Sequence, residues 1–187
     1  MNLEALLPLV NRPSRYSGNE YNIIRKDWDA ARLRMVFAFP DLYEIGMSHQ
    51  GLQVLYHTVN RRKEYLAERV YAPDLDFERL LREKGERLFS LESRRPLADF
   101  DLLGITLPYE LCYTNILTIL DCAGIPFRAA ERDSDAPLVI AGGPCAFHPE
   151  PVADFFDAIL LGDGEEAILE IADCVCESKE AGLDRAG

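Results

Sequence analysis

Four short, nearly unbroken apolar runs punctuate the chain: LRMVFAF from Leu33, stopped by Pro40; DLLGITL over 101–107; PLVIA over 137–141; and DAILL over 157–161. A strand with one wet face alternates apolar and polar residues. A strand covered on both faces reads as a continuous run, the pattern of a parallel sheet layered by helices. Segments of helical period lie between the runs. Leu52, Leu55, Tyr56 and Val59 predict a helix over 48–61 that begins at Ser48. Asp74 opens a second helix that runs to about Lys84 on Phe77, Leu80 and Leu81, closed by Gly85. Residues 109–123 form a third, ended by Gly124, and Ile168, Ile171, Ala172 and Val175 carry a fourth to about Glu177. A short strand is predicted at Glu68–Tyr71 and a small edge strand over 87–90. Repeated alternation of this kind predicts an α/β domain with a doubly wound, mainly parallel sheet and helices on both faces.

Residues 1–30 carry no clean period and are rich in turn formers (Asn11, Pro13, Ser14, Gly18), so they are expected to be an arm laid over a neighbouring domain or subunit, with 31–187 as the α/β domain. A chain of 187 residues that is 48% hydrophobic suits one globular unit with a substantial core. Twenty basic against thirty-two acidic residues leave a formal charge of −12, which repels phosphate backbones and disfavours direct nucleic-acid binding. No apolar run reaches the roughly 20 residues of a membrane span, and the opening residues lack a secretory pattern, so a cytoplasmic protein is expected. The five cysteines, Cys112, Cys122, Cys145, Cys174 and Cys176, follow neither a disulfide framework nor a zinc knuckle, and reduced thiols are expected. Cys174 and Cys176 sit two residues apart on a helix and cannot share a face.

Open parallel sheets bind ligands beyond the carboxyl ends of their strands, where loops diverge and helix N-termini present free N–H groups. Four post-strand loops are therefore candidates: 40–48, 108–110, 142–151 and 162–166. All four are expected to follow central strands and converge on one rim. Gly142-Gly143 lets backbone approach either a ligand or an adjacent loop. Gly162-Asp163-Gly164-Glu165-Glu166 reads as a tight turn with acids at a helix start. Among the histidines, His49, His57 and His148, the last is the best functional candidate, because it follows the glycine pair. No nucleophilic triad, G-x-x-x-x-G-K-[ST] or G-x-G-x-x-G loop is present, and Glu44 with Glu110 is a weak acid-pair candidate.

The runs PDLYEIGMSHQGLQVLYHTVN, FSLESRRPLADFDLLGITLPYE and, above all, IAGGPCAFHPEP with LLGDGEEAI resemble the N-terminal region of bacterial radical SAM proteins with cobalamin-binding-type domains. The resemblance implies a sheet of flavodoxin-like order with ligand or partner over the rim. Asp41, Tyr43, Gly46, Ser48, Thr106, Gly142, Gly143 and His148 are the cofactor-binding positions it implies. Cobalamin domains of the methionine synthase type carry D-x-H-x-x-G, whose histidine ligates cobalt. Asp41-Leu42-Tyr43-Glu44-Ile45-Gly46 keeps the aspartate and glycine but has Tyr43 at the histidine position. Histidine ligation is thereby lost unless His49 or His148 substitutes. The C-x-x-x-C-x-x-C spacing of a radical SAM cluster is absent, so SAM and the [4Fe–4S] cluster are expected only in a barrel outside these residues. The expected role is a non-catalytic cobalamin- or substrate-binding domain, part of a longer protein, that covers the mouth of that barrel. The alternative is a cofactor-free docking module of the same fold.

Overall fold

The structure is a computed structural model that describes residues 3–183; the first two residues of the predicted arm and the last four of the predicted domain lie outside the described residues. Five parallel strands, β1 (Leu33–Phe39), β2 (Tyr65–Tyr71), β3 (Leu102–Thr106), β4 (Leu138–Gly142) and β5 (Ala158–Ile159), form one sheet in the order β2-β1-β3-β4-β5. This is the flavodoxin-like order, with its switch point between β1 and β3.

Four helices cover the sheet: α1 (Gln50–Arg61), α2 (Leu75–Lys84), α3 (Tyr113–Ala123) and α4 (Ala167–Glu180). Because side chains alternate along a strand, each apolar run feeds two cores. Val36, Ala38, Leu103 and Val139 pack with Phe77 of α2 and Ile116 of α3. Met35, Phe37 and Leu102 pack with Leu52 of α1 and Ile168 of α4. Helices therefore lie on both faces, and the doubly wound α/β class read from the apolar runs is the observed one. Gly85 and Gly124 end α2 and α3 in the left-handed conformation (φ +66° and +71°), which costs glycine little.

Several element predictions need correction. β2 begins three residues before the predicted start, because Glu68 and Arg69 interrupt its apolar pattern yet are both buried. The expected strand over 87–90 is not one of the five; there Phe89 forms an isolated antiparallel bridge to Pro96, and Leu91 N–H donates to Arg69 O at 2.8 Å. β5 is a two-residue edge strand, half-exposed, not a central one. Helix α1 starts after His49, whose Nδ1 accepts from Leu52 N–H at 3.2 Å; Ser48 is exposed and does not cap it.

Residues 3–30 lie across the domain's own β2 edge and α2. Tyr16 stacks on Phe77 with ring centroids 4.0 Å apart, and Ile24 N–H donates to Tyr56 Oη at 2.7 Å. An uncovered edge strand is a template for aggregation, and the arm blunts it. Near the rim, Arg12 and Arg15 pair with Glu44, and Arg15 also reaches Asp74. These guanidiniums, Arg12 foremost, hold the Glu44 carboxyl down at about 2, and Arg15 holds Asp74 below its ordinary value. A depressed carboxylate pKa gives stability that is present above the unfolded value and is lost as pH falls through the folded one. Trp28, the single tryptophan and part of the arm, packs edge-on against Phe100 of the domain. Its emission should therefore report arm release as pH falls from about 4.5 towards 2, with the Glu44→Gln variant showing a shallower dependence over that window. An identical titration in both proteins would show that the tether does not hold the arm.

Candidate functional site

A cavity of about 270 Å³ opens at the carboxyl end of the sheet, between its α1/α4 face and the loop joining β5 to α4. Its floor spans the switch point. Phe37 comes from β1, Gly104 and Thr106 from β3, and Ile140 and Gly142 from β4. Leu52 and Leu55 of α1 form one wall and Ile168 and Ile171 of α4 another, while Gly162, Asp163, Gly164 and Glu165 border it from the β5–α4 loop. The space exists because residues 104 and 142 carry no side chain. A Cβ on Gly104 would meet Phe37 Cδ1 at 3.1 Å, whereas one on Gly142 would meet only Leu160 at 3.8 Å, an ordinary contact.

The adjacent Gly143 serves a different end. Its φ is +112°, and a Cβ there would press on the Leu107 carbonyl oxygen at 3.2 Å and amide nitrogen at 3.3 Å. Leu107 is pinned on both sides, donating to Gly142 O at 2.7 Å and accepting from Cys145 N–H at 3.0 Å. Of the two alternatives for the glycine pair, Gly143 meets the second, close approach to an adjacent loop. Gly142 leaves room in the cavity, and Gly143 lets backbone pass backbone.

Of the predicted cofactor-binding residues, Thr106, Gly142 and Gly143 line this cavity, while Asp41, Tyr43, Gly46, Ser48 and His148 do not. Asp41 accepts a hydrogen bond from Tyr109 Oη and caps Leu42 N–H at 2.7 Å. Tyr43 leans toward β2 and the arm, where its hydroxyl donates to Glu20 at 2.8 Å and its ring meets Tyr71 edge-on. Burial and the Glu20 carboxylate push its hydroxyl up to about 12. Gly46 is buried against Phe39 and Tyr71, whose rings would lie 2.6–2.7 Å from an added Cβ, so it serves packing. His148 and Ser48 are exposed. The four loops reach one end of the sheet, but the β1 loop commits Tyr43 and Glu44 to the arm.

His49 is the lining residue whose placement the sequence least foretold. Capping α1 fixes its ring, Phe39 packs on it with centroids 5.0 Å apart, and burial holds its pKa below the ordinary histidine value. The sequence reading did not single out Gly104; the signal that could have found it is a lone glycine inside a buried apolar run. The cysteines are all free. Cys176 is buried and Cys174 exposed, on different faces of α4, and Cys112 and Cys145 lie in the loops after β3 and β4. Among the described residues no group of three His, Cys, Asp or Glu converges as a metal site, and no helix is long and apolar enough to cross a membrane.

An uncharacterized protein of Methanocaldococcus jannaschii is 28% identical over 93 residues, a stretch that takes in 48% of this chain and only 19% of that protein's length. No solved structure matches the chain. A family model described as "Radical SAM proteins, N-terminal" matches residues 51–187, which include α1, the sheet from β2 onward and most of the cavity lining. The chain belongs to this family, the N-terminal region of radical SAM proteins.

Proposed function

We propose that this domain is a non-catalytic ligand-binding domain of a radical SAM protein, which holds part of a cobalamin-type cofactor, or of the substrate, at its carboxyl-end rim. A catalytic barrel that binds SAM and the [4Fe–4S] cluster is the partner in this reading. One observation carries it: the glycine-floored cavity at the switch point, where open α/β sheets bind ligands.

Size limits what enters. Pockets that enclose drug-sized ligands run to about 300–1,000 Å³, so 270 Å³ accepts one flat group of a larger molecule and no corrin. The base of cobalamin's nucleotide tail is such a group. Gly104 and Gly142 give it a flat floor, Phe37 and Ile140 apolar contact, and Thr106 a hydroxyl at the rim. Bound cobalamin would supply cobalt as a carrier of an alkyl group; the residues named here would bind and orient its tail. Position 43 offers no imidazole, and the Tyr43 hydroxyl is engaged by Glu20, so a cobalt bound here lacks that ligand.

The purified chain, titrated with hydroxocobalamin under reducing conditions, should show a saturable change in the visible spectrum. It should also gain thermal stability, about 2.7 kcal/mol at a hundredfold excess over Kd. The Gly142→Val variant fills the floor without crowding backbone and should lose both responses while remaining folded. An absence of response up to high micromolar cofactor would favour the second reading, a cofactor-free docking module. That reading has its own support: Leu75 at the start of α2 and Leu111, Phe147 and Leu161 from the segments after β3, β4 and β5 are 79%, 92%, 63% and 59% exposed. Large apolar side chains gathered at one end of a domain mark an interaction surface.

A further inference from the structure

We propose that residues 17–25 of the arm form a proton-controlled strap: a proton on Glu92 holds them against β2, and its loss frees them, uncovering that sheet edge and the Tyr43 hydroxyl. The device is independent of what the cavity binds.

Two carboxylates share one cation. Among the described residues Arg69 alone pairs with Glu20 of the arm and with Glu92 of the 88–96 segment. Its hold on them is unequal. Glu92 accepts aligned bonds from Arg69 N–H and Nε–H, whereas Nη2 stands 2.6 Å from Glu20 without the alignment of a hydrogen bond. Glu68 of β2 adds a third carboxylate, which accepts from the Ser93 hydroxyl at 2.7 Å and the Ser93 N–H at 3.2 Å. The other polar groups that face the cluster are Gln53 and Tyr56 of α1, Tyr43, and Tyr71 of β2. Burial pushes the three tyrosine hydroxyls up, so they stay neutral near pH 7.

One guanidinium cannot neutralise two buried carboxylates beside a third, so the docked arm favours a proton on one of them. Glu92 is the deeper. Burial, opposed by Arg69 and aided by Glu68, pushes its carboxyl up to about 7. Docking sets the Glu20 charge on Arg69 and shuts out water, and both changes raise the Glu92 pKa further. Linkage is reciprocal, so the proton strengthens docking in equal measure. The raised pKa belongs to the docked state; the hold is therefore full below the undocked value and weakens as pH rises through about 7.

The strap also touches the segment that carries Glu92. Gly18, at φ +63°, leaves no room for a Cβ against the Leu91 carbonyl oxygen, and Arg94 donates to Ser17 O at 3.3 Å. Arg15 remains on Glu44 and Asp74 at neutral pH, and Lys26 donates to Arg62 O at 2.7 Å, so release is confined to the stretch between them.

Hydrogen exchange of the chain, read by mass spectrometry and corrected for intrinsic rates, measures the hold. Between pH 6 and pH 8, protection over residues 17–25 should fall about three- to tenfold more than protection over α4. The Glu92→Gln variant puts a neutral carboxamide in place of the protonated acid and should abolish that extra fall. Gly18→Ala displaces the strap without removing a charge. In carboxyl NMR titrations it should lower the Glu92 midpoint by about 0.5–1, because a tenfold coupling corresponds to one pH unit. Equal losses in the strap and α4 of the parent would overturn the proposal, as would an extra fall retained by Glu92→Gln. A Glu92 midpoint left in place by Gly18→Ala would overturn it too, and this measurement decides the matter if Glu92→Gln does not fold.

Discussion

Replacing Arg69 by methionine should lower the unfolding free energy by about 3–5 kcal/mol, the cost of leaving a buried charge without its partner. For a chain of this length that is a fall in Tm of roughly 6–20 °C. Arg69 sits on β2 with its side chain 3% exposed, and Glu92 beside it is 1% exposed. The Glu92 carboxylate accepts from Arg69 N–H at 2.7 Å and from Nε–H at 2.8 Å. The same guanidinium lies over the Tyr56 ring at 4.4 Å and pairs with Glu20 of the arm at 2.6 Å. One side chain thus joins the sheet edge, α1, the 88–96 segment and the arm.

Burial already pushes the Glu92 carboxyl up to about 7, against the pull of the guanidinium. A folded-state pKa raised above the unfolded one gives a contribution that is fully present below the unfolded value and lost as pH rises through the folded one. Without Arg69 that upward shift grows, so the deficit of Arg69→Met should be smaller at pH 5 than at pH 8. The double variant Arg69→Met/Glu92→Leu should recover part of the loss, since an apolar pair carries no desolvation cost. Chemical denaturation at the two pH values measures all three effects. A deficit below about 1 kcal/mol would mean that the pair is dispensable, as exposed ion pairs are.

The second large effect separates two neighbouring glycines. Gly143→Ala should cost about 1–3 kcal/mol, because its φ of +112° is a conformation L residues rarely adopt and the added Cβ meets Leu107 backbone at 3.2 Å. Gly142→Ala, whose Cβ meets only Leu160 at 3.8 Å, should stay within about 0.5 kcal/mol of the parent. Thermal melts of the two single variants check the assignment. Equal losses would show that Gly142 is also held by backbone packing and that its substitution is no clean probe of the cavity. The contrast is the reason Gly142 alone is varied in the cofactor titration.

Much of the architecture was legible in the residues. Strands at Leu33, Leu102 and Leu138 follow from continuous apolar runs, because a parallel strand buries both faces and has no polar face to show. Gly85 and Gly124 mark helix ends because the left-handed backbone there costs glycine little. The segment carrying Glu68 and Arg69 was harder. Local pattern reads two adjacent charges as exposed, and they are buried only because Glu92 and Ser93 come back to meet them from 23 and 25 residues away.

The site divides along the same line. The sequence by itself placed a glycine pair at the end of the run over 137–141, beyond the carboxyl end of a strand of a parallel sheet, and marked the loop after it as a candidate. Only the tertiary structure decided which loops face the cavity. Asp41, Tyr43 and Gly46 follow the same strand as His49, yet Tyr43 is drawn to Glu20 of the arm and Gly46 packs on Tyr71, while the start of α1 places His49 in the cavity lining. A motif fixes the order of side chains along one loop. Their directions are set by partners that chain folding brings from elsewhere, here an arm residue 23 positions upstream of Tyr43 and a floor assembled from three separate strands.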